Sequence, residues 1–172
     1  MKLKALADEF GALAGSLRIA RQRGGKRPLG STRLTPQQRG KRFEAWLGNL
    51  FEVYALDRTL DVVNPGEQID FTFWMGALFV VGEARWRKEE VDPKQVRDFF
   101  EKLRERPAFT VGLLISISGF TEASLDVLRK RSGERVVLTL QGERLNDILA
   151  GTPEFPDWLI RTLRERLEHP NR

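Results

Sequence analysis

Hydrophobic positions near the start of the chain recur at helical spacing. They fall three and four residues apart at Leu3, Leu6, Phe10, Leu13 and Leu17, which predicts a helix with a narrow apolar stripe. Gly11 and Gly15 weaken this helix by about 1 kcal/mol each relative to alanine. A helix this short is marginal alone, so we expect it to dock on its own domain or to form a homo-oligomer with a second copy of the chain.

A second helical pattern begins at residue 35. The sequence "TPQQ" predicts a helix start, with Thr35 as the N-cap, Pro36 in the first turn and Gln38 closing a capping box. Apolar residues then follow helical spacing from Phe43 to Tyr54. We therefore expect the folded domain to begin here.

Strand-like runs dominate the next part of the chain. Three of them, "LDRTLDVV", "QIDFTFWM" and "ALFVVGEARW", are separated by "NPGE" and by Gly76. A helix capped by Asp92 and Gln95 follows, then a fully apolar strand in "FTVGLLISI", a helix from Thr121 and a strand in "RVVLTL". Two helices, "ERLNDILAG" and "PEFPDWLIRTLRERLE", close the sequence. A strand meander followed by strand–helix alternation predicts an α/β fold with a mixed sheet.

Composition removes several kinds of chemistry. The 172 residues include no cysteine and one histidine, His169, which excludes thiolate sites and argues against histidine triads and zinc motifs. No apolar run reaches the length of a membrane span. Asp8 and Glu9 interrupt the opening apolar stretch, which argues against a signal peptide, and we expect a cytoplasmic protein.

Charge is distributed unevenly along the sequence. The first 42 residues contain eleven Lys or Arg and two acids, whereas the remainder contains eighteen basic and twenty-two acidic residues. A basic block of this kind needs a polyanion or solvent, which favours nucleic acid over a solvated linker or an anionic membrane surface. The predicted DNA contacts are Arg18, Arg21, Arg23, Lys26, Arg27 and Arg33. We predict three segments: a helical basic arm (1–34), an α/β domain (35–150) and a C-terminal helix packed on it (151–172).

Two acids occupy neighbouring strands of the predicted sheet. Asp70 and Glu83 are thirteen residues apart across one tight turn, so their strands are expected to be antiparallel neighbours. Two carboxylates that meet need a cation between them. Either a divalent metal ion or nearby arginines such as Arg85 and Arg87 could supply that charge.

These acids form part of a longer pattern. Glu44, Asp70 and the sequence Glu83-Ala84-Arg85 resemble the PD-(D/E)xK nuclease motif, in its Mrr-like branch. The similarity runs over roughly residues 36–150 and is carried by "FEAWLGNLFE", "QIDFTFWMGALFVVGEARWRKEEV" and "GLLISISGF". It implies a restriction-endonuclease-like mixed central sheet flanked by helices.

The resemblance also implies a function and a role for each matched residue. Asp70 and Glu83 would bind Mg²⁺ or Mn²⁺ with the backbone carbonyl of Ala84, and Glu44 would hold a metal-bound water or a second ion. The implied activity is that of a metal-dependent DNA endonuclease, which hydrolyses phosphodiester bonds within a DNA strand. Lys41, one helical turn before Glu44, could reach the same site and contact DNA.

One position departs from the family pattern. Arg85 stands where the family usually has lysine, and an arginine stays charged and cannot act as a base. It could still stabilise charge on the phosphate in the transition state. The alternative interpretation is therefore an inactive nuclease-like domain that binds DNA or a partner protein.

Overall fold

A computed structural model describes residues 2–21, 34–64 and 67–170 of the chain, and for residues 14–21, 61–64 and 67–68 it describes the backbone alone. The elements in chain order are α1 (Lys2–Arg21), α2 (Pro36–Val53), β1 (Asp57–Asn64), β2 (Glu67–Met75), β3 (Leu78–Arg85), α3 (Pro93–Arg104), β4 (Val111–Ser116), α4 (Glu122–Lys130), β5 (Val137–Gln141), α5 (Gly142–Leu149) and α6 (Phe155–Glu168). This order of helices and strands is the one that the sequence pattern predicts.

The five strands form one sheet in the order β1-β2-β3-β4-β5. The first three are antiparallel neighbours, whereas β3, β4 and β5 run parallel to one another. The predicted mixed sheet is therefore confirmed. Each parallel connection contains a helix, as parallel strands require.

Hydrophobic cores cover both faces of this sheet. On one face, Phe71 and Leu113 pack with residues of α1, α2, α5 and α6. On the other face, Val81 and Leu114 pack against α3 and α4, where Phe99 is fully buried. Because β4 lies between the two cores, every residue in it is buried, as its unbroken apolar sequence predicts.

Both predicted capping boxes are present. Thr35 Oγ1 accepts a hydrogen bond from the amide of Gln38 at 3.2 Å, and the Gln38 side chain accepts one from the Thr35 amide at 2.8 Å. Asp92 and Gln95 make the same reciprocal pair at the start of α3. Each box satisfies two amides that a helix start otherwise leaves without partners, which fixes where α2 and α3 begin.

Helix α1 docks on the chain's own domain. Leu6, Phe10 and Leu13 are buried, and the indole nitrogen of Trp46 donates to the carbonyl of Leu6 at 3.0 Å. The Phe10 ring lies 5.0 Å from the Trp46 ring and 5.5 Å from that of Trp86, centre to centre. The apolar stripe that predicted either self-docking or a dimer is thus buried within one chain over these residues.

The predicted basic contacts of the arm lie outside the described part of the chain. This holds for the side chains of Arg18 and Arg21 and for the whole of Arg23, Lys26, Arg27 and Arg33. Over the residues that are described, no helix is long and apolar enough to cross a membrane.

Candidate active site

Strand pairing brings the two predicted acids to the same place. The β2–β3 ladder pairs Phe71 with Gly82, so the next residues outward are Asp70 on β2 and Glu83 on β3. The strands approach closely at this pair: a Cβ added to Gly82 would collide with the Phe71 ring and lie 2.7 Å from the Leu113 carbonyl oxygen. The antiparallel pairing of β2 with β3, which the spacing of the two acids predicted, places them at neighbouring positions.

Asp70 is held by the backbone of the neighbouring strand. Its Oδ2 accepts a hydrogen bond from the amide of Ala84 at 2.8 Å and a second from Nη1 of Arg85 at 3.3 Å. The other carboxylate oxygen, Oδ1, takes part in neither of these bonds. Asp70 is therefore oriented by β3 while one of its oxygens is left for other contacts.

Arg85 links the two acids. Its Nη1 contacts Asp70, and its Nη2 donates to Oε2 of Glu83. The arginine alternative of the sequence analysis is thus realised at Arg85. A planar guanidinium suits this bridging position because its donors point in fixed directions toward two carboxylates.

A fourth charged residue enters from α3. Lys102 donates through Nζ to Oε1 of Glu83, the oxygen opposite the one that Arg85 contacts. Sequence reasoning did not identify Lys102, because its approach depends on how α3 is seated on the sheet. No spacing within the motif could have revealed it.

The two carboxylates are buried, so their contacts with cationic side chains are needed to offset the cost of burying charge. The side chains of Glu83 and Asp70 are only 4% and 8% exposed, whereas those of Arg85 and Lys102 are 25% and 28% exposed. Buried carboxylates are costly unless they are paired, and here two cations balance two anions. The cations also carry most of the solvent-exposed surface of this four-residue cluster.

Glu44 occupies a different position. It lies on α2 with its side chain 15% exposed, and its Oε2 accepts a hydrogen bond from Lys41 Nζ at 3.0 Å. Within the described residues, no group of three or more His, Cys, Asp or Glu side chains could hold a metal ion. The structure thus brings Asp70, Glu83 and Arg85 together, while Glu44 does not join them in such a group.

The donor chemistry at Asp70 and Glu83 nevertheless fits a divalent ion. Two carboxylates with a backbone carbonyl at Ala84 are hard oxygen ligands of the kind that Mg²⁺ and Mn²⁺ prefer. Asp70 Oδ1 is the oxygen outside the bonds described above, whereas both oxygens of Glu83 contact a cationic side chain. The residues therefore suit a metal provided that a cation on Glu83 gives way.

The site lies at an edge where three strands end. Arg85, Ser116 and Gln141 are register partners across β3, β4 and β5, so the carboxyl ends of the parallel strands line up beside the acids. In α/β proteins this is the edge at which ligands bind. Gln141 is exposed at the end of β5, two strands away from Arg85.

Fold and site together define a restriction-endonuclease-like α/β protein. Residues 36–149 match the family model of the Mrr catalytic domain, described as restriction endonuclease. The match spans more than half of the sequence, so the chain belongs to the Mrr restriction endonuclease family. The resemblance seen in the motif is confirmed.

Solved structures add a likeness in fold. A crystal structure of a protein of unknown function, AF1548, is 14% identical, with a TM-score of 0.52 over 70% of this chain and 77% of its own. The MspJI restriction endonuclease in complex with a 27-mer oligonucleotide is 12% identical, with a TM-score of 0.39 over 80% of this chain and 40% of its own. At these identities, AF1548 supports the fold alone, and MspJI is too distant to bear on activity. None of the curated protein sequences matches the chain.

Proposed function

We propose that the protein is a metal-dependent endonuclease that hydrolyses phosphodiester bonds in cytoplasmic DNA. The observation that carries this proposal is the convergence of Asp70 and Glu83, both buried, at the end of the β2–β3 ladder. Membership of a restriction endonuclease family supports a nuclease role for such a pair. The carboxyl ends of β3, β4 and β5 line up beside the pair, and a nucleic-acid backbone would approach the acids there.

In this proposal, Asp70, Glu83 and the Ala84 carbonyl hold Mg²⁺ or Mn²⁺. When bound, the ion supplies Lewis acidity to the phosphate and lowers the pKa of a bound water. The Ala84 amide keeps the Asp70 carboxylate in one orientation through its 2.8 Å hydrogen bond. Arg85 cannot take a proton at neutral pH, so we assign it to stabilise the negative charge that develops on the phosphate.

The remaining predicted residues serve the substrate. Lys41 is half-exposed and tethered to Glu44, which suits a contact to a DNA phosphate next to the site. Glu44 would orient a water molecule from the α2 side. The six basic residues from Arg18 to Arg33 would add phosphate contacts that hold the duplex without reading its sequence.

One observation favours a second candidate, an inactive nuclease-like domain that binds DNA or a partner protein. Arg85 and Lys102 already balance the charges of Asp70 and Glu83 without any metal. A cluster neutralised in this way can persist as a structural ion-pair network. Its net charge attracts a divalent ion less strongly than two uncompensated acids would.

Nicking of supercoiled plasmid in Mg²⁺ and in Mn²⁺ tests the proposal. The wild type should nick DNA, and Asp70→Asn should not, although asparagine can still accept the Ala84 hydrogen bond. The matched control is Asp98→Asn, an exposed acid on α3 that pairs with Lys94. DNA binding without nicking in either metal would favour the second candidate. Equal nicking by wild type and Asp70→Asn would place the activity outside this site.

A further inference from the structure

Lys102 reaches the site from α3 and donates to Oε1 of Glu83. We propose that Lys102 is the counter-ion that a divalent metal displaces from Glu83, and that it thereby sets the metal affinity of the site. This rests on the metal site proposed above. It adds a role for Lys102, which lies outside the nuclease motif.

Packing holds Lys102 at this position. Lys102 lies in the last turn of α3. Phe99 and Leu103, which flank it on this helix, are completely buried and anchor the helix on the sheet. Helix and sheet are in close contact there, since a Cβ added to Gly112 would lie 2.6 Å from Leu103 and 2.8 Å from Phe99. Long side chains on a helix point back toward its N-terminus, which directs the Lys102 stem along the sheet to Glu83.

The two cations contact the acids in different ways. Arg85 is anchored at both acids through two separate nitrogens, whereas Lys102 contacts Glu83 at Oε1. An ammonium is a point charge on a flexible stem, so it exchanges with another cation more readily than a bridging guanidinium. Glu83 Oε1 is therefore the oxygen at which a metal would replace a protein cation, with Arg85 remaining in place.

The charges of the cluster predict whether removing Lys102 strengthens or weakens metal binding. With Lys102 present, two anions face two cations and the cluster is neutral. Without the Lys102 charge, the cluster carries one net negative charge beside the metal ligands, and Coulomb attraction for a divalent ion increases. A lysine that merely kept Glu83 in place would have the opposite signature, because its removal would loosen the ligand and weaken binding.

Calorimetric titration of the full chain with Mn²⁺ alone measures this directly. Lys102→Met keeps most of the stem and removes the charge, and it should bind Mn²⁺ about tenfold more tightly than wild type, allowing for solvent screening of a partly exposed pair. Lys102→Arg keeps the charge and should bind as wild type does. Lys94→Met makes the same change on an exposed lysine of the same helix and should also match wild type.

The outcomes separate this inference from the metal site itself. If wild type binds Mn²⁺ and Lys102→Met binds equally or more weakly, the competition is disproved while the metal site stands. If neither protein binds Mn²⁺, both proposals fail. Thermal melts without metal verify that the variants are folded, and Lys102→Gln provides a second neutral side chain should methionine disturb α3. Tighter binding by either neutral variant, absent from Lys94→Met, supports the inference.

Discussion

The Asp70 carboxylate and the Ala84 amide are joined across two strands by a 2.8 Å hydrogen bond. Phe71 and Gly82 are the last pair of the β2–β3 ladder. Beyond that pair, the Asp70 side chain accepts the hydrogen bond of the Ala84 amide on β3. A buried amide needs such a partner, which gives Asp70 a structural role besides any chemistry. Substitutions at Asp70 must therefore preserve an acceptor if they are to report on metal binding alone.

Asp70→Asn meets that condition and should abolish stabilisation by metal. Mg²⁺ or Mn²⁺ should raise the melting temperature of wild type, because a ligand that binds only the folded state stabilises it by about 2.7 kcal/mol at a hundred times its Kd. The asparagine variant should melt at the same temperature with and without metal. Differential scanning fluorimetry over a metal titration measures this. An equal rise in both proteins would show that Asp70 is no metal ligand.

Arg85 distinguishes an active enzyme from a binder. If Arg85 stabilises charge on the phosphate, Arg85→Ala should lower the cleavage rate by about 100-fold or more. Arg85→Lys keeps a positive charge and restores the residue that the motif usually has, so its rate should equal or exceed that of wild type. Single-turnover cleavage at saturating metal measures both rates.

The same variants test the inactive interpretation. In that case wild type should be inert with every divalent metal, and Arg85→Lys should gain cleavage because the acids are already in place. Comparable cleavage by wild type and by alanine variants of Asp70, Glu83 and Arg85 would contradict both interpretations.

The basic arm should contribute phosphate contacts. Deleting residues 1–34 would also remove Leu6, Phe10 and Leu13 from the core, so neutralising charge is the cleaner experiment. Glutamine at the six basic positions from Arg18 to Arg33 should weaken DNA binding. It should also make the slope of log affinity against log salt shallower by about 0.9 for each lost phosphate contact.

A two-charge comparison controls for net charge in that experiment. One variant changes Arg23 and Arg27 of the arm to glutamine. The other makes the same change at Arg161 and Arg164, which are exposed on α6. The arm pair should reduce the slope measured by fluorescence anisotropy, and the α6 pair should change it less. Identical slopes for the two pairs would mean that the arm makes no specific contribution to DNA binding.

Local signals in the sequence predicted most of the fold. The helix starts at Thr35 and Asp92 depend on side chains three residues away, so both capping boxes could be read directly. The pairing of Asp70 with Glu83 follows from a short hairpin, whose register is likewise local. The mixed sheet followed from a strand meander and the alternation of strands and helices after it.

Contacts between distant elements could not be predicted in this way. The bond from Lys102 to Glu83 depends on the rotation and seating of α3, which its own hydrophobic periodicity leaves undetermined. Glu44 shows the converse: its order in the motif was readable, but its placement relative to Asp70 depends on how α2 crosses the sheet. Motif order thus identified candidate residues, and packing decided which of them meet.

Gly82 should be essential to the close approach of β2 and β3, and Gly11 should not. Gly82→Ala would drive a methyl group into the Phe71 ring and the Leu113 carbonyl, and overpacking of this kind costs about 1–3 kcal/mol of unfolding free energy. Gly11→Ala is the matched control, since its added Cβ meets nothing within 4 Å on helix α1. That variant should be more stable than wild type by about 0.5–1 kcal/mol, because alanine loses less conformational freedom in a helix.

Urea unfolding followed by circular dichroism measures both glycine variants. The midpoint should fall for Gly82→Ala and rise for Gly11→Ala, with the dependence on urea unchanged, because a shifted midpoint at constant slope reports stability alone. Displacement of β2 from β3 would also separate Asp70 from Glu83, so Gly82→Ala should lose the melting shift caused by Mn²⁺. A Gly82→Ala protein as stable as wild type would contradict the tight packing of Phe71 on β3. If that variant also retained the Mn²⁺ shift, the acids would be held together by something other than the strand contact.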